Sequence, residues 1–142
     1  MVFGDWRTAE GWTGWTHRNV SSLMVRRRVV EQLGYWDRVA CSADTEYYYR
    51  ILRAFGRQSL LEVLPGVPLA FGRSHAGSLT RTAATRQFSV FGGARKQYHD
   101  AFAAWHARAA STEALYLPKA PGERPFPAPQ ALLPRSSAAG GR

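Results

Sequence analysis

Cysteine is nearly missing from this 142-residue chain, with Cys41 standing alone. One cysteine excludes an internal disulfide framework and any multi-cysteine metal site, and it fits a reducing compartment. Long apolar runs are missing as well: none approaches the roughly 18–20 residues that span a bilayer. Met1-Val2-Phe3-Gly4-Asp5-Trp6 has neither a basic start nor an apolar stretch, which excludes a secretory signal there. Lysine is scarce, since only Lys96 and Lys119 stand among the 19 basic residues, and acidic residues number 10. No internal repeat is visible. What is there is a chain 45% hydrophobic and 13% aromatic, able to bury a core and of a length suited to one domain.

The formal charge of +9 suggests an anionic partner: nucleic acid, a membrane surface or a phosphorylated small molecule. Arginine suits bidentate phosphate contacts. An arginine bias also follows from base composition alone, so the charge by itself does not choose among partners.

Composition shifts near residue 111. Residues 111–142 hold six of the eight prolines, and this segment reads as a Pro-rich disordered tail. The expected folded part is 1–110. Within it, 5–19 reads as a loop with aromatic anchors at Trp6, Trp12 and Trp15. A short strand is expected at Val20–Val25, then a helix from Arg26 to Leu33 with Gly34 just past its end. The clearest helix follows Ser42-Ala43-Asp44, where Ser42 or Asp44 can cap. Tyr48, Ile51, Leu52 and Phe55 form one apolar stripe on it, and Gly56 ends it. Strands are expected at Ser59–Leu64 and Val67–Phe71, and a long helical region at Ala83–Ala109, weakened at Gly92-Gly93.

Read in order, 21–80 contains Arg26-Arg27, Gly34-Tyr35-Trp36-Asp37, Asp44-Thr45-Glu46, Arg50, Gly56, Arg73-Ser74-His75 and Ser78-Leu79-Thr80. That succession resembles the acceptor-side half of family 2 glycosyltransferases over about residues 15–82. The resemblance implies an α/β fold, a partial GT-A (Rossmann-like nucleotide-diphospho-sugar transferase) fold. It makes 1–110 the C-terminal part of such a domain. The implied activity is inverting transfer of a sugar from a nucleotide-diphosphate donor to a hydroxyl acceptor, a glycan or lipid-linked sugar, with a divalent metal (Mg or Mn). The implied location is the cytoplasm or the inner membrane surface. Nothing before Val20 supplies the donor-binding half, so the chain is expected to be inactive alone.

An inverting transfer needs a base to take the acceptor's proton. Asp44 matches the family's base position, at a helix start where backbone N–H groups fix a carboxylate; the alternative is a plain helix cap. Where the family often has Glu, this chain has Ala43. Asp44-Thr45-Glu46 also admits a metal-gripping DxD reading, which the poor strand at Arg38–Ala43 disfavours. Glu46, Trp12 and Trp15 are the expected acceptor contacts, whereas Trp36 reads better as core. Arg73 and His75 are the expected diphosphate contacts, with His75 also a candidate metal ligand, because the leaving group's charge needs a metal, an Arg or a protonated His. Arg50 either braces the site through Asp37 or Glu46 or makes an ordinary i,i+4 surface pair. His99 and His106 are expected on the surface.

The competing classes are a basic nucleic-acid-binding module and a non-catalytic interaction domain. Arg26-Arg27-Arg28 is the one basic cluster in the chain, and no nucleic-acid-binding motif is present, so a nucleic-acid partner is not expected.

Overall fold

The computed structural model describes residues 23–61, 63, 93–119 and 122–134. Three helices frame it: α1 (Arg27–Leu33), α2 (Ala43–Phe55) and α3 (Gly93–Arg108). Single 3-10 turns follow at Arg57–Ser59, Glu113–Leu115 and Gln130–Leu132.

The described residues are mostly helical and contain no sheet. Residues 23–25 form no strand, and Ser59 belongs to a 3-10 turn, so the strand content expected of an α/β fold is not found in these segments. The short apolar run at 23–25 has no strand to pair with there and instead packs side chains against the core. Val67–Phe71 lies outside the described residues.

Both glycine stops act as expected. Gly34, at φ 74°, donates its N–H to the Val30 carbonyl and ends α1. Gly56, at φ 75°, does the same to Leu52 and ends α2. Gly34 has a second constraint, because a Cβ there would stand 1.9 Å from the Leu117 carbonyl oxygen. The chain needs that bare backbone to make the parallel bridge of Gly34 to Leu117. In it, Tyr35 N–H donates to Leu117 O at 2.8 Å and Leu117 N–H donates to Leu33 O at 2.9 Å.

That bridge overturns the reading of 111–142 as a disordered tail for 111–119 and 122–134. Leu115, Leu117, Phe126 and Leu132 are all buried in the same core as Leu33, Tyr47, Ile51, Tyr98, Phe102 and Trp105. Phe126 stacks on Trp105 with ring centroids 4.9 Å apart, and Ala40 N–H donates to Leu132 O at 2.8 Å. The physical reason lies in what proline restricts. It removes N–H donors and helical options, but it also stiffens the unfolded chain, so an extended segment loses less entropy when its intervening apolar side chains dock.

Helix α3 packs through Tyr98, Phe102 and Trp105, spaced i, i+4 and i+7. Its C-terminal carbonyls, which have no partner within a helix, are met by α2: Arg53 donates to His106 O and to Ala109 O, each at 2.9 Å. A cation at this end also complements the helix dipole.

Candidate functional site

The start of α2 joins three polar features. Its first residue follows Ser42, which holds a left-handed backbone at φ 68°. That conformation is costly for a residue with a Cβ, and such outliers concentrate at functional positions. Ser42 makes no side-chain cap; instead the Glu46 N–H donates to the Ser42 carbonyl at 2.9 Å. Asp44 therefore stands one residue inside the helix, partly exposed, and its Oδ1 accepts the Thr45 N–H at 2.7 Å. Asp44 is not the cap of the helix.

Glu46 faces the other way. Its residue is 0% exposed, its Oε2 accepts from Arg50 at 3.0 Å and its Oε1 from His106 Nε2 at 2.9 Å. Both oxygens are engaged inside the core, so the expected acceptor contact by Glu46 is replaced by a structural one. The side chain's helical position turns it toward α3, away from the face of Asp44.

Arg50, also 0% exposed, is the hub. Besides Glu46 it donates to Leu33 O at 2.8 Å, Tyr35 O at 2.7 Å and Leu115 O at 3.3 Å. One guanidinium thus ties the end of α1, the turn after it and the C-terminal segment to α2. Its carbon lies 4.8 Å from the Tyr47 ring centroid. Of the two expectations for Arg50, bracing fits and an ordinary surface pair does not.

A second buried carboxylate, Asp37, accepts from Tyr98 Oη at 2.8 Å and from Arg124. Its Oδ1 has no partner among the described residues. His106 is buried in the Glu46 pair, contrary to its expected surface position, while His99 is exposed. The signal for His106 was present in the sequence: it follows Phe102 at i+4 on the apolar face of α3. Asp37, Tyr98 and Arg124 were not legible as a group, because they join three distant segments.

Tyr98 is held far above the ordinary tyrosine value of 10.0, chiefly by burial and then by the negative charge of Asp37. Tyr47 is also raised, by burial first, with Arg50 opposing and Glu46 adding to it. Above pH 10 the unfolded chain releases these protons while the folded one keeps them. The stability held below that pH should then fall as pH rises, by up to about 1.4 kcal/mol per pH unit for each phenol. Urea midpoints measured from pH 8 to 11 should decline only in the upper part of the range. A midpoint unchanged through pH 11 would contradict the placement of Tyr98.

Trp12, Trp15, Arg73 and His75 lie outside the described residues. Among the described residues no group of three His, Cys, Asp or Glu side chains could hold a metal ion. No helix among them is long and apolar enough to cross a membrane. A groove of about 710 Å³ lies between α1 and the C-terminal half of α2, lined by Leu23, Val25, Val29, Ile51, Phe55 and Leu60 among others, and not by Asp44. No family model, curated protein or solved structure matches the chain.

Proposed function

We propose that this chain forms the acceptor side of an inverting glycosyl transfer and that Asp44 is its general base. The observation that carries the reading is the position of Asp44. It is the partly exposed carboxylate of the first turn of α2, fixed through Oδ1 by its own helix and preceded by the strained Ser42. Asp44 would take the proton of the acceptor hydroxyl while that oxygen bonds to the anomeric carbon. The bond from that carbon to the nucleoside diphosphate breaks, and the leaving group keeps the electron pair. Arg73 and His75 are the proposed diphosphate contacts. No step is assigned to a metal.

The structural use of arginine supports this reading over a nucleic-acid interface. Arg50, Arg53 and Arg124 contribute to the charge of +9, yet each is engaged by internal carbonyls or carboxylates.

The test is transfer from labelled nucleotide sugars to glycan acceptors, using the reading frame extended upstream of Met1 beside the 142-residue chain. The extended protein should transfer sugar and the 142-residue chain should not. Asp44→Asn should cut transfer about 10²–10⁴-fold with donor binding unchanged. Full transfer by Asp44→Asn would remove the base. An extended protein that transfers nothing but binds generic DNA with a steep salt dependence would replace the whole reading.

A further inference from the structure

Trp36 is the second aromatic residue of the turn after α1, and it does not sit in the core. It is 37% exposed, while its indole stacks on the Tyr47 ring at 4.2 Å and 18°. Tyr47 is itself fixed: it is fully buried, donates its hydroxyl to Gly34 O at 3.2 Å, and has the Arg50 guanidinium 4.8 Å from its ring centroid. The layers therefore run Arg50, Tyr47, Trp36.

The backbone on both sides of the indole is anchored as well. Tyr35 donates its N–H to Leu117 O at 2.8 Å and its carbonyl accepts from Arg50 at 2.7 Å. Asp37 is held by Tyr98 and Arg124. An exposed ring with so many fixed neighbours is preorganised, so little ordering is left to oppose a ligand that stacks on it.

The location is informative too. Helical side chains lean toward the N-terminus, so the Tyr47 ring covers the turn that begins near Asp44, its i−3 neighbour. The indole carried by Tyr47 thus belongs to the same end of α2 as the partly exposed Asp44 carboxylate.

We infer that Trp36 is the stacking platform for the acceptor sugar, a pyranose whose equatorial hydroxyls leave an uninterrupted C–H face to lie on the indole. This rests on the transfer reading for the identity of the ligand as acceptor. A gluco-configured β-pyranoside has such faces. An α-mannopyranoside has an axial oxygen projecting from each face and should fit poorly. Within the described residues this gives Trp36 the role expected of Trp12 and Trp15.

The experiment titrates the 142-residue chain with methyl β-D-glucopyranoside and methyl α-D-mannopyranoside, read by saturation-transfer NMR and by indole N–H shifts. The glucoside should bind more tightly than the mannoside. Trp36→Ala should weaken glucoside binding about tenfold, equivalent to about 1.4 kcal/mol, while Trp36→Phe should retain it within about threefold because a π-face remains. Circular dichroism of both variants checks that the fold persists. Glucoside binding that survives Trp36→Ala, or its absence from the unaltered chain, overturns the platform. Binding lost in Trp36→Ala but transfer retained in Asp44→Asn would leave the platform standing and remove the base, so the two failures are distinguishable.

Discussion

Replacing Arg50 with alanine should destabilise the fold by about 3–5 kcal/mol, the range for removing one partner of a buried ion pair. The substitution leaves the Glu46 carboxyl group buried, with His106 as its one remaining side-chain partner among the described residues. It also strips donors from the carbonyls of Leu33, Tyr35 and Leu115. Domains of this size hold only about 5–15 kcal/mol in total. Urea unfolding followed by circular dichroism should show the loss as a lowered midpoint.

Two companion variants separate charge from geometry. Arg50→Lys keeps the charge but not the planar fork, and one ammonium group cannot reach all four acceptors in their present directions. It should recover less than half of the loss. Lys96→Ala removes the exposed pair with Asp100, and such pairs contribute about 0–1 kcal/mol. If Arg50→Ala cost no more than Lys96→Ala, the hub would not be holding the segments together.

The hub also shows what could be read from the chain and what could not. The ends of α1 and α2 were legible because Gly34 and Gly56 are local signals, and a glycine stop acts within one turn. The core face of α3 was legible from the spacing of Tyr98, Phe102 and Trp105. Arg50 was legible as a brace for Glu46, since i,i+4 residues meet on a helix. Its three carbonyl partners were not, because Leu115 lies 65 residues away and backbone acceptors have no sequence signature. Glu46 and Asp44 differ by two positions, which places them on different helix faces. The sequence pattern named both as site residues, and only the packing of α3 turns one of them inward.

The C-terminal segment was the largest misreading, and cutting it off should have the largest effect. A chain ending at Ala110 loses Leu115, Leu117, Phe126 and Leu132, each at most 2% exposed. Burying one such side chain contributes about 1.5–3 kcal/mol, so four of them match the whole stability of a small domain. The cut also removes Arg124 from the buried Asp37 carboxylate, whose other partner is Tyr98. Tyr98 and Trp105, whose rings meet Phe126, would lose that cover. The shortened chain should therefore lack a cooperative urea transition and bind a hydrophobic dye. A folded, cooperative chain ending at Ala110 would restore the tail to the status its prolines suggested. The contrast is physical: proline content measures how few backbone donors a segment offers, while docking depends on whether apolar side chains between the prolines find a surface, and here α3 and the end of α1 provide it.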